Sequence, residues 1–192
     1  MKKDCIKPNQ TELQILNLGY KRFFTIFDEF LNDSFWELSP EQRLMKLKIC
    51  FETYTELSKY EPIKLYIQFL KNSRPPEEAL LAEKYFSFIR NVLSHFPFFV
   101  SWNDVYITND LVCWDKPKNS SVQKFLETYK NKESIKFRVW NEKKRTMTYM
   151  DIKFPDDTQK QIYLKDLISE KEGMLLCMML MKKVLDSQLL QE

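Results

Sequence analysis

Three observations predict a mainly α-helical fold, a helical bundle with inserted β-hairpins that form a small α+β appendage. Apolar residues recur at helical spacing through the first half of the chain, and two Ser-initiated segments, Ser39-Pro40-Glu41-Gln42 and Ser169-Glu170-Lys171-Glu172, have the composition of helix starts. Beyond Pro97 the period shortens to the alternation typical of strands. A length of 192 residues suits one domain, with a helical core over 9–96 and 158–191 and a hairpin and short-helix insertion over 98–157. Hydrophobic content of 44% and aromatic content of 15% supply enough apolar area to offset chain entropy.

The elements follow in order. Leu13, Leu16, Tyr20, Phe23, Phe24, Phe27 and Leu31 recur at helical spacing from Thr11 to Leu31, with Asn9 or Thr11 as the cap. Ser39 as cap, Pro40 at the first helical position and Gln42 three residues after the cap open a helix to about Tyr60, with Leu44, Leu47, Cys50, Phe51 and Tyr54 as its buried stripe. Pro62 restarts the chain, and Ile63 to Lys71 reads as a shorter third helix. After the break at Asn72-Ser73-Arg74-Pro75-Pro76, Glu77 and Glu78 favour the positive end of a helix that continues to Phe96. Val105-Tyr106-Ile107 and Leu111-Val112-Cys113-Trp114, around Thr108-Asn109-Asp110, suggest one hairpin, and Ser120 or Ser121 caps a short helix to Tyr129. Ile135 to Phe154 alternates around Asn141-Glu142-Lys143-Lys144 as a second hairpin, and a last helix runs from Ser169 to Leu190.

Composition removes several functional classes. Gly19 and Gly173 are the only glycines, too few for a P-loop or a dinucleotide-binding cradle. Cys5, Cys50, Cys113 and Cys177 lie far apart, and one histidine is too few for a typical zinc set, so no metal and no cofactor is expected. Thiols in this pattern read as reduced, which fits a cytoplasmic protein. The amino-terminal residues carry positive charge without an apolar stretch behind it, unlike a signal peptide, and Met174 to Met181 is too short an apolar run to span a bilayer, so no membrane partner is expected. A net charge of +3 leaves any affinity for nucleic acid to local clusters.

The single histidine, His95, stands in Arg90-Asn91-Val92-Leu93-Ser94-His95. At about 100° per residue, Leu81, Tyr85, Phe88, Ile89, Val92 and Phe96 cover one face of that helix, while Ser87, Arg90, Asn91, Ser94 and His95 fill the opposite arc. Arg90 and His95 are then about 140° apart, workable when the long arginine bends toward a shared cleft. A permanent cation, an amide and a group titrating near neutrality suit phosphate chemistry. RNA carries its own nucleophile, the 2′-hydroxyl, so an enzyme need only remove that proton, stabilise the charge on phosphorus and protonate the departing 5′-oxygen. His95 suits the proton transfers, Arg90 can grip non-bridging oxygens bidentately, and Asn91 can orient the imidazole or a phosphate oxygen. One chain offers one imidazole, so a second His95 from a symmetry-related copy completes an acid–base pair, and a homodimer is expected.

Arg90-Asn91-x-x-x-His95, near the end of a long helix in a mostly helical chain, resembles the HEPN superfamily, whose signature is Arg, four to six residues, then His. The resemblance covers the motif, its helix and the surrounding helices, and does not extend to the hairpins. It implies a dimeric, metal-independent endoribonuclease acting as a toxin or anti-phage defence effector, with Arg90, Asn91 and His95 as catalytic residues, RNA as substrate and an antitoxin or regulatory protein as a further partner. Some members are modified on a tyrosine two residues after the histidine; Pro97 stands there in this chain.

Plainer readings stand beside these. A lone histidine next to Phe96 can be structural, Arg90 can pair with Glu83 or with a neighbouring helix, and Ser94 reads as a solvated position. The bundle can also serve as a non-catalytic HEPN-like module that binds a protein or nucleotide partner. In the second hairpin Lys136, Arg138, Trp140, Arg145, Tyr149 and Lys153 fall on one face if the turn is centred on Glu142-Lys143, as an RNA platform or as an ordinary charged outer face. Met174, Met178, Met179 and Met181 read as core filling or a dimer contact, and Asp156-Asp157 as a turn or cap.

Overall fold

The computed structural model of the chain describes residues 7–95, 99–108, 121–129, 132, 134–141, 144–154 and 161–186. Local signals start its helices. In α1 (Gln10–Phe30), Glu12 N donates to Asn9 Oδ1 at 2.9 Å and Asn9 N donates to Glu12 Oε2 at 2.8 Å, a reciprocal cap. A short α2 (Asp33–Glu37), which the apolar period does not announce, precedes α3 (Pro40–Leu57), where Ser39 and Gln42 make the same reciprocal pair at 3.3 and 3.2 Å. Next come α4 (Glu61–Asn72), with Pro62 in its first turn, and α5 (Pro76–His95). The remaining elements are a 3-10 turn at Trp102–Asp104, β1 (Tyr106–Thr108), α6 (Ser121–Tyr129), β2 (Ser134–Asn141), β3 (Thr146–Lys153), β4 (Gln161–Tyr163), α7 (Leu164–Leu167) and α8 (Glu170–Leu185). Among the described residues the protein is mainly helical, with two small antiparallel sheets.

One strand pairing is not announced by the sequence. β1 pairs with β4 through Tyr106↔Tyr163, Ile107↔Ile162 and Thr108↔Gln161, whereas Leu111–Trp114, expected to be its hairpin partner, lie outside the described residues. β2 and β3 form the second hairpin, with Asn141↔Thr146 as the last pair before the turn. That register centres the turn one residue later than Glu142-Lys143. Each cross-strand partner therefore moves by two positions, which preserves the face of every side chain.

The chain divides into two compact units, residues 1–76 with 180–192, and residues 77–179. The core expected as one helical domain is thus shared out, and α5 groups with the segment expected as an insertion. In the first unit, Phe23, Phe27 and Phe30 of α1, Phe35 of α2 and Leu47, Cys50 and Phe51 of α3 are buried. α1 and α3 approach closely at Gly19, where an added Cβ would lie 2.7 Å from Leu57 Cδ2.

In the second unit α5 buries Leu81, Tyr85, Phe88, Ile89 and Val92, as its sequence period requires. Phe88 stacks on Phe125 of α6 with ring centroids 4.7 Å apart, and Phe125 and Tyr129 both meet Phe154. These aromatic contacts give the physical reason that α5 groups with α6 and the β2–β3 hairpin. Buried Trp102 donates from Nε1 to Ile168 O at 2.9 Å, which ties the 3-10 turn to the start of α8. Met174 and Met178 are fully buried in this unit, as Met181 is in the first, in keeping with core filling.

The hydroxyls of Tyr20, Tyr60 and Tyr85 are buried without a hydrogen-bond partner among the described residues. An alanine Cβ at Gly173 would lie 2.8 Å from Tyr85 Oη. Tyr85→Phe is therefore expected to raise stability by about 1 kcal/mol in urea unfolding, since an unsatisfied buried hydroxyl costs roughly 1–3 kcal/mol. Gly173→Ala alone is expected to cost about 1–3 kcal/mol by overpacking against Tyr85, Ile168 and Trp102. Combined with Tyr85→Phe it should cost less than it does alone, because the closest clash is with the hydroxyl; strict additivity would contradict that geometry.

Candidate functional site

Burial of the apolar stripe fixes the rotation of α5 and so determines what its other arc presents. Ser87, Arg90 and Asn91 are half-buried there and Ser94 is exposed, the arrangement the helical period requires. Arg90 donates to Asn91 Oδ1 through Nε at 3.3 Å and Nη2 at 3.2 Å. Adjacent helical positions do not normally face each other; the length of the arginine lets its guanidinium fold back across the neighbouring amide. Asn91 Oδ1 thereby holds the Arg90 guanidinium. Arg90 forms no ion pair with a described carboxylate, so the expected alternative of a salt bridge to Glu83 is not seen among the described residues.

The helix runs unbroken to His95, about 7.5 Å along the axis from Arg90 at 1.5 Å per residue. The side chain of His95 lies outside the described residues, as do Phe96, Pro97 and Asp156-Asp157.

The β2–β3 ladder brings Lys136, Arg138 and Trp140 of β2 and Met147, Tyr149 and Lys153 of β3 to one exposed face, and buries Phe137, Val139, Met150 and Ile152 on the other. Arg145, expected on that ladder, stands in the turn with φ 49°, a left-handed conformation favoured by glycine. Arg138 forms an ion pair with Glu78 in the first turn of α5. Glu78, Met147 and Asp151, which is exposed opposite Lys136, are members of this region that the sequence reading passed over. Glu78 looked like a helix-dipole acid, and nothing local links it to a residue sixty positions away.

The two described thiols are chemically quiet. Cys50 and Cys177 are free and buried. Burial, with Glu29 nearby, pushes Cys50 up to about 12, and burial lifts Cys177 well above the usual thiol range. Burial likewise raises Tyr20 to about 12, with Asp186 adding to the effect, and holds Tyr85 well above the usual phenol range. Each of these groups keeps its proton in the folded chain at a pH where the unfolded chain releases it. Their contribution to stability is whole below the unfolded values, 9.0 for the thiols and 10.0 for the phenols, and is lost as pH climbs toward about 12. The thermal midpoint is therefore expected to fall once pH exceeds about 9; a midpoint unchanged up to about pH 11 would contradict the burial of these groups.

Among the described residues, no three His, Cys, Asp or Glu side chains cluster as a metal site, and no helix is long and apolar enough to cross a membrane. Comparison of the chain with family models, with curated proteins and with solved structures finds no match of any of the three kinds.

Proposed function

We propose that this chain is a HEPN-type, metal-independent endoribonuclease that cleaves RNA by attack of the 2′-hydroxyl, in the setting of a toxin or an anti-phage defence effector. The observation that carries the reading is the polar arc of α5: Arg90 and Asn91 sit side by side, joined by two hydrogen bonds, on a helix that continues to the chain's single histidine. Arg90 pre-oriented by Asn91 holds the non-bridging oxygens of the scissile phosphate and stabilises the charge that grows there. His95 takes the 2′-hydroxyl proton; the 2′-oxygen bonds to phosphorus as the bond from phosphorus to the 5′-oxygen breaks. His95 of a second copy of the chain protonates that leaving oxygen, so the working unit is a homodimer. The products are a 2′,3′-cyclic phosphate and a 5′-hydroxyl.

The test is incubation of the purified protein with single-stranded RNA in EDTA. Cutting that persists under chelation supports the reading. Intact RNA, or cutting abolished by EDTA and restored by a divalent ion, overturns it. In cells, expression of the wild-type chain is expected to arrest growth and the His95→Ala chain to be tolerated, with colony counts as the readout.

A further inference from the structure

We propose that the outer face of the β2–β3 hairpin is a binding platform for single-stranded RNA, with bases stacked on Trp140 and Tyr149 and phosphates held by Lys136, Arg138 and Arg145. The choice of RNA as the polyanion rests on the nuclease reading; the surface itself is argued from the ladder.

A two-stranded ribbon with one buried face ordinarily turns small or charged side chains to solvent. This one exposes three large side chains in adjacent ladder positions: Trp140 is 44% exposed, Met147 opposite it 53% and Tyr149 65%. Tyr149 pairs directly with Arg138, and Trp140 is its diagonal neighbour, about 7–8 Å away in such a ladder. Alternate residues on one strand recur about every 7 Å, comparable to the spacing of successive nucleotides in an extended single strand. Aromatic faces at that interval stack bases irrespective of sequence.

Charge selects the occupant. Lys136, Arg138 and Lys153 share the face with the rings, and Lys144 and Arg145 crown the turn, against Asp151 within the ladder and Glu78 on Arg138. The balance is cationic, which complements a polyanion. Glu78 holds Arg138 beside Tyr149, so this cation is placed in advance. At the turn, Asn141 Oδ1 accepts from Lys144 N at 3.0 Å, and Arg145 occupies a left-handed position where glycine would be free of strain. A cation is thus kept at a position where the backbone favours glycine.

The experiment uses fluorescence anisotropy of the full chain with a labelled 2′-O-methyl oligouridylate. This probe cannot be cut by 2′-hydroxyl attack, so binding is read apart from cleavage. Trp140→Ala and Tyr149→Ala are each expected to weaken binding about five- to a hundredfold. Lys136→Ala should lower the slope of log affinity against log salt by about 0.7. Arg145→Gly separates recognition from folding, because it should weaken binding while the thermal midpoint holds or rises. Wild-type affinity in the two aromatic variants, no binding by the wild type, or binding to phosphatidylserine vesicles with none to the oligonucleotide overturns the platform. A chain that cuts RNA but shows any of these results loses the platform and keeps its nuclease; one that binds through these residues without cutting loses the nuclease and keeps the platform.

Discussion

Replacing His95 with alanine is expected to lower the rate of RNA cleavage by about a hundredfold to ten-thousandfold, the range that a positioned general acid or base contributes, with the thermal midpoint nearly unchanged. Arg90→Ala should match it, because the charge on phosphorus would lose its bidentate partner. Removing the guanidinium takes away the two hydrogen bonds that Asn91 Oδ1 accepts from it at a half-buried position on the polar arc of α5, where water can replace them. Arg90→Lys is the finer probe: it keeps the charge, loses the planar fork, and should fall between wild type and alanine. Single-turnover cleavage rates and thermal melts of the same preparations read both quantities. A histidine with only a structural role would give the reverse pattern, a lowered midpoint with cleavage intact.

The second large effect is on stability. Phe88→Ala is expected to cost about 3–5 kcal/mol, measured as a shift in the urea midpoint with an unchanged slope. Phe88 is fully buried and stacked on Phe125, with Tyr85 and Ile89 beside it on α5. Those buried neighbours also set the rotation of the helix, so packing on one arc determines where Arg90 and Asn91 sit on the other. A cost below about 1 kcal/mol would mean that the ring packs far more loosely than its burial implies.

The helices were largely legible because their determinants are local. Asn9 with Glu12 and Ser39 with Gln42 lie three residues apart and cap α1 and α3 as their spacing requires. Ser169 and Glu172 do the same for α8, with Glu172 N donating to Ser169 Oγ at 3.4 Å. The apolar stripe of α5 was readable in the same way, since a 3.6-residue period needs no knowledge of what covers it. The pairing of β1 with β4 was not, because Tyr106 and Tyr163 are distant in sequence and three-residue strands carry almost no periodic signal. The five-residue α2 and four-residue α7 were missed for the same reason. In the β2–β3 hairpin the faces were legible and the register was not. Alternation fixes which side chains share a face, whereas the position of the turn depends on backbone conformations such as that of Arg145.

The candidate site shows the same division. The spacing of Arg90, Asn91 and His95 is a property of the sequence, and burial of the opposite arc follows from its period. The double hydrogen bond between Arg90 and Asn91 depends on how a long side chain folds back along its own helix, which spacing alone does not specify. The ion pair of Arg138 with Glu78 depends on tertiary packing of the hairpin near the start of α5.

Mass spectrometry of the fragment ends formed in EDTA decides whether Arg90 and His95 of α5 cleave RNA through its own 2′-hydroxyl, as proposed. Fragments ending in 2′,3′-cyclic phosphate with 5′-hydroxyl partners, absent from the His95→Ala reaction, are the predicted result. Fragments carrying 3′-hydroxyl and 5′-phosphate ends, or cyclic-phosphate ends produced equally by the His95→Ala chain, would contradict it.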